Sequence, residues 1–165
     1  MLQQTETITA RALRQASDKT PPSCELVVGG KPTGQRIEGC VLEAALECDA
    51  GYLLFLTDDI PHEDSLNIHL VSFSGTLEDS ARIGGMYSTG RFEKLQVQQP
   101  DKISFRFMGD TIWTLQVLQK PAFRIPFLSE PAGVHRPPGS KRRFLITGSP
   151  RWEAHSSHHG RIHFP

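Results

Sequence analysis

At 165 residues, with 38% hydrophobic and 22% charged side chains, the chain has the size of one domain with a true apolar core, which excludes a scaffold dependent on disulfide or metal staples. The formal charge is zero, which argues against a strongly basic nucleic-acid binder. The sum hides a division, however: residues 1–118 hold 16 acids against 10 Lys or Arg, a balance of −6, and residues 119–165 hold 2 acids against 8 Lys or Arg, a balance of +6.

The first nineteen residues lack the basic start, apolar run and small-residue cleavage site of a secretory leader, and no later stretch has the length of a membrane span. A cytoplasmic address without membrane association is the expectation. Within residues 1–23, taken as an N-terminal extension, Thr7 to Ala16 reads as a short helix with Ile8, Ala12, Leu13 and Ala16 along one side.

From residue 24 the apolar residues come in short runs separated by turn formers, and 14 Gly with 12 Pro suit a turn-rich antiparallel fold. Residues 24–28 form a first strand. The sequence VVGGKPTGQ, residues 27–35, offers Lys31 and Thr33 after glycines. It lacks the spacing of a phosphate loop, because the lysine precedes Gly34 and Pro32 intervenes, so a plain hairpin is expected there. Val41 to Thr57 forms a hairpin. A three-residue loop Asp49, Ala50, Gly51 sets Cys48 opposite Tyr52, Leu46 opposite Leu54 and Ala44 opposite Leu56. Leu53 and Phe55 make the alternate face apolar as well, which predicts a central hairpin covered on both sides.

Residues 66–73 read as a strand, residues 74 and 75 as a tight turn, residues 82–92 as an irregular loop and residues 94–99 as a strand. Lys102 to Leu118 forms a second hairpin. A three-residue turn at Met108, Gly109 and Asp110 aligns Phe105 with Trp113 and Ile103 with Leu115, and leaves Ile112 on the polar face near Arg106. Residues 141–147, KRRFLIT, read as a last, edge strand among prolines. In AFRIPFL, residues 122–128, the alternation of Phe123, Ile125 and Phe127 predicts an apolar anchor that docks the basic segment on the body.

Four motifs carry chemistry. His155, His159 and His163 have the i, i+4 spacing of a zinc-binding helix. Ser156, Ser157, Gly160 and Pro165 break that helix and Glu153 is the only nearby acid, so residues 148–165 are expected to be a His-rich mobile tail without a metal site. Asp58, Asp59, Glu63 and Asp64 cluster in TDDIPHEDS, where oxygen donors suit a hard cation. The ligand alternation of a calcium loop and its central glycine are absent, so a solvated turn between two strands is the expectation, with Arg124 facing either the solvent or an acid of this cluster. Lys141, Arg142 and Arg143 could meet phosphates or an acidic protein surface. The acidic body opposes nucleic acid, so a protein contact ranks ahead. Cys24, Cys40 and Cys48 are odd in number and have no C-x-x-C spacing, which predicts reduced thiols.

These readings give an all-β fold, an antiparallel sandwich or flattened barrel of about seven or eight strands over a single domain at residues 24–147, followed by a Pro-rich basic C-terminal segment. No nucleophile, base or cofactor motif assembles, so no catalysis and no cofactor are expected. The function that follows is a small interaction or binding module with a protein partner or self-association. One alternative is a β-barrel protein or enzyme that holds a small ligand in its interior by groups such as Tyr52, His69, Tyr87 or Trp113. The other is nucleic-acid binding through the basic segment.

Overall fold

The computed structural model describes residues 1–17, 20–60, 63–85, 89–125 and 129–149. Among them the structure is all-β and antiparallel. Thirteen strands follow one another: β1 (Gln3–Gln4), β2 (Ile8–Arg14), β3 (Ser23–Val28), β4 (Lys31–Glu38), β5 (Val41–Cys48), β6 (Gly51–Thr57), β7 (Leu66–Val71), β8 (Leu77–Ile83), β9 (Glu93–Gln98), β10 (Lys102–Arg106), β11 (Ile112–Phe123), β12 (Val134–His135) and β13 (Lys141–Thr147). The count exceeds the seven or eight expected because β1, β2, β4, β8 and β12 give no clean apolar alternation of their own, and β8 takes in Arg82 and Ile83 from the loop expected at 82–92. No helix among the described residues is long and apolar enough to cross a membrane.

The strands form three sheets: a six-stranded sheet in the order β1-β5-β6-β7-β8-β12, a four-stranded sheet β13-β11-β10-β9, and a three-stranded sheet β2-β3-β4. The six-stranded sheet is the middle layer. On one face Leu53, Phe55, Ile68, Leu70 and Ala81 pack against Ile103, Phe105, Trp113, Leu115 and Phe144 of the four-stranded sheet. On the other, Ala45, Tyr52, Leu54, Leu56 and Val71 pack against Ile8, Cys24, Leu26 and Ile37 of the three-stranded sheet. A strand covered on both faces needs apolar residues at consecutive positions, as in a doubly covered parallel sheet. GYLLFLT in β6 meets that need and is buried throughout.

The second hairpin has the expected register, Ile103 with Leu115, Phe105 with Trp113 and Arg106 with Ile112. Phe107 and Thr111 close the three-residue turn, in which Met108 and Gly109 both adopt left-handed backbone. Ile112 is exposed on the polar face and Trp113 is fully buried. The first hairpin departs from expectation. Cys48 pairs with Gly51 across a two-residue turn, Leu46 with Leu53 and Ala45 with Leu54, and a bulge between Leu42 and Ala44 restores the phase. Because both faces of β6 are apolar, hydrophobic patterning could not choose between registers one residue apart. Contact geometry decides instead: a Cβ on Gly51 would lie 2.0 Å from the Val71 carbonyl oxygen, so this glycine belongs in the sheet against β7.

Two further expectations are corrected. Thr7 to Ala16 is not a helix; Ile8–Arg14 is a strand paired with β3 from Ile8 opposite Val28 to Arg14 opposite Ser23. Burying Ile8 and filling the ladder of β3 outweigh a weak local preference. The second concerns AFRIPFL, where Phe123 and Ile125 are exposed and do not anchor the basic segment. Phe127 lies outside the described residues. KRRFLIT is an edge strand as expected, at one end of the four-stranded sheet, and the glycines at 29 and 30 turn the chain from β3 into β4 with left-handed backbone.

Candidate functional site

The side-chain alternation of β7 sends Leu66, Ile68 and Leu70 into the core shared with the four-stranded sheet. Asn67 and His69 therefore point to the opposite face, and from β8 Ser80 and Arg82 join them, opposite His69 and Asn67 in the ladder. The three-stranded sheet does not close over this polar patch. A cleft of about 520 Å³ remains. Asn67, His69, Ser80 and Arg82 line it together with Arg36, Ile37 and Glu38 of β4, His135, Arg136 and Pro137 from the C-terminal segment, and Arg14 and Ser23.

The polar groups at the base of the cleft are locked by their own hydrogen bonds. His69 Nε2 lies 2.9 Å from the Glu38 carbonyl oxygen, and Nδ1 lies 2.7 Å from Ser80 Oγ. A carbonyl can only accept, so Nε2 carries the proton and Ser80 donates to Nδ1. Burial pushes the His69 pKa down to about 4, which keeps the ring neutral near pH 7. Asn67 Nδ2 donates to Asp58 Oδ1 at 2.6 Å and to the Leu56 carbonyl at 3.3 Å. Arg82 Nη2 donates to Asp58 Oδ2 and to Ser65 Oγ, each at 3.2 Å. Burial raises the carboxyl pKa of Asp58, while the Arg82 charge and the Asn67 amide act against that rise.

A second polar cluster ties the C-terminal segment to the middle sheet. Arg136 Nη1 lies 3.1 Å from Asp79 Oδ2, its Nε lies 3.2 Å from Glu130 Oε1, and its Nη2 donates to the Phe144 carbonyl at 2.7 Å. The guanidinium also sits 4.4 Å from the centre of the Phe144 ring. Asp79 Oδ2 accepts the backbone N–H of Arg143 at 2.8 Å. Arg142 completes the cluster, with Nε 3.8 Å from Glu130 Oε1 and Nη2 donating to the Gly139 carbonyl.

The charge of the cleft follows from this pairing. Arg14, Arg36, Arg82 and Arg136 line it against one acid, Glu38. Asp58 matches Arg82 and Asp79 matches Arg136. Arg14 donates only to the Pro21 carbonyl, and among the described residues neither Arg14 nor Arg36 forms an ion pair. Among the described residues, two guanidinium charges at the cleft thus lack a counter-ion.

Of the residues singled out in the sequence, Asp58 and Asp64 do come together: Asp64 Oδ1 accepts the backbone N–H groups of Asp58 and Ser65. Asp58 is buried, contrary to a solvated turn, because Asn67 and Arg82 satisfy both its oxygens. Asp59 and Glu63 are exposed. The cluster takes Arg82 as its base and not Arg124, whose backbone N–H donates to Ser140. Lys141 is exposed, Arg142 faces Glu130, and Arg143 meets Asp79 through its backbone N–H alone. Tyr52 and Trp113 are core residues, so neither lines the cleft, and Tyr87 lies outside the described residues, as do His155, His159 and His163. Among the described residues no group of His, Cys, Asp or Glu is placed to hold a metal ion. The three thiols are unbonded, and burial raises Cys24 to about 11. Sequence reasoning reached His69 but missed the arginines, which come from separate elements and carry no shared spacing.

Comparison of the chain with protein-family models, with curated proteins and with solved structures finds no match.

Proposed function

We propose that this protein is a non-catalytic binding protein that takes a small anionic molecule, with a carboxylate or phosphate group, into the cleft between the three-stranded sheet and the C-terminal segment. The carrying observation is the pair of guanidinium groups, Arg14 and Arg36, that have no ion-pair partner among the described residues, beside a cleft in which Asn67, His69, Arg82 and Arg136 are already fixed. Guanidinium suits this role because its donor fork matches the oxygens of carboxylate and phosphate. Ser80 and His69 have the hydrogen-bond order of a nucleophile and a base, but an imidazole with a pKa near 4 is a poor base at neutral pH. Their contact serves better as a rigid cross-strand link. The unbonded cysteines fit a reducing compartment such as the cytoplasm.

The test is calorimetric titration with small carboxylates and phosphates beside neutral analogues of equal size. Anions should bind and neutral analogues should not. The Arg14→Ala, Arg36→Ala double variant should weaken binding at least about tenfold, the loss of roughly 1.4 kcal/mol of charge-assisted contact. Affinity independent of both arginines would overturn the proposal.

A further inference from the structure

Strand β11 is longer than its neighbour β10, which pairs with it only from Ile112 to Gln116. Beyond a bulge between Val117 and Ala122, its only partner among the described residues is β13, with Ala122 opposite Arg142 and Phe123 opposite Lys141. A bond of 2.7 Å from Arg124 N–H to the Ser140 carbonyl extends this ladder by one step. The result is a two-stranded arm outside the four-stranded sheet. Phe123 is 77% exposed and Ile125 is 65% exposed, the largest values among the described large apolar side chains apart from Met1.

Lys141 lies opposite Phe123 in the ladder, Arg124 stands between the two apolar residues on the alternate side of the extended chain, and Lys120 precedes them in the bulge. All three are exposed, and among the described residues none of them is in an ion pair. Glu130, the one acid between residues 119 and 149, is already engaged by Arg136 and Arg142. The arm therefore shows water two apolar side chains together with three exposed bases of the same two segments.

We infer that this arm docks on an anionic lipid bilayer, with Phe123 and Ile125 entering the interfacial region and Lys120, Arg124 and Lys141 on the headgroups. This surface uses none of the cleft-lining residues, so it stands or falls independently of ligand binding there. The pairing of apolar and cationic groups selects the occupant. Duplex nucleic acid would satisfy the cations and a stacked Phe, but offers no apolar volume to Ile125. A protein partner would have to supply a pocket for each protruding side chain, whereas a bilayer deforms around them and adds attraction for each basic residue near its surface. The acidic body does not oppose this docking strongly, because charges farther from the bilayer than the Debye length, ~8 Å at physiological salt, are screened.

The experiment is flotation of the full chain with phosphatidylcholine vesicles, with and without phosphatidylglycerol, together with a fluorescence measurement on Phe123→Trp using chain-brominated lipid. Binding should be at least about tenfold tighter to the anionic vesicles, and brominated chains should quench the introduced Trp only when such vesicles are present. The double variant Phe123→Ser, Ile125→Ser should lose at least about tenfold in vesicle affinity at unchanged melting temperature, since both side chains are exposed. Vesicle binding by the double variant equal to that of the native chain, or absence of quenching, would overturn the proposal. So would binding to duplex DNA or to a poly-glutamate peptide without binding to anionic vesicles.

Discussion

His69 is buried among groups that occupy both of its ring nitrogens, and this fixes the sign of its effect on stability. The unfolded chain takes up a proton near the usual imidazole value of 6.5, whereas the folded ring refuses it until about pH 4. Between those values the unfolded state binds more protons, so stability falls as pH falls, by on the order of 3 kcal/mol across the window. Asp58 works in the opposite sense. Its carboxyl is raised by burial, so its contribution favours the fold at low pH and is lost as pH rises through its folded value. The larger His69 effect should dominate below pH 6.5. Urea denaturation as a function of pH should show a steep acid-side loss in the native chain and a flatter one in His69→Gln. Equal slopes in the two proteins would place the acid sensitivity elsewhere. Replacing His69 also leaves the Glu38 carbonyl and Ser80 to find new partners, so the variant should be less stable at pH 7 even as its pH dependence weakens.

At the scale of elements, patterning was legible where a strand has one wet face and illegible where it has none. Lys102 to Leu118 alternates cleanly, and its register, its turn and the exposure of Ile112 all follow from the sequence. Gly51–Thr57 is apolar on both faces, so the sequence showed that β6 is central but could not set its pairing with β5. Strand β2 was misread because Ile8, Ala12, Leu13 and Ala16 also fit a helical stripe; the ladder offered by β3 decides the matter only in the folded chain. The cleft was half legible for the same reason: LNIHLV places Asn67 and His69 on one face, but Arg14, Arg36 and Arg136 reach that face from distant elements. The second hairpin allows a direct check. Trp113→Ala should cost about 3–5 kcal/mol, through lost burial and the hydrogen bond from Nε1 to the Phe107 carbonyl. Ile112→Ala, one residue away on the wet face, should stay within about 0.5 kcal/mol. Comparable losses in chemical denaturation would mean that the two faces are not distinct.

Over the whole molecule, the basic C-terminal segment is tied to the acidic body by a buried pair at Arg136 and Asp79, while Lys120, Arg124 and Lys141 stay exposed. Residues 133–135 join the middle sheet and residues 141–147 the four-stranded sheet: Val134 pairs with Ile83, Gly84 N–H donates to the Gly133 carbonyl, and Phe144 and Ile146 enter the core between the two sheets. Arg136 is held at that junction. Its side chain and that of Asp79 are each only 3% exposed, so salt screens their attraction far less than it would a surface pair. Burial lowers the Arg136 pKa, and Asp79 with Glu130 acts against that drop, so the charge is kept by its partners. Removing one partner should then be worse than removing both. Asp79→Asn leaves a buried guanidinium short of a counter-ion and should cost about 3–5 kcal/mol. Adding Arg136→Met to that variant should recover part of the loss, because the second substitution removes the uncompensated charge. A double-mutant cycle by urea denaturation measures this recovery. Limited proteolysis gives the structural counterpart: cleavage within residues 133–147 should be slow in the native chain even at ~1 M salt, where the Debye length is about 3 Å, and fast in Asp79→Asn. Additive losses in the cycle, or salt-induced cleavage of the native chain, would show that surface attraction and not the buried cluster holds the basic segment on its body.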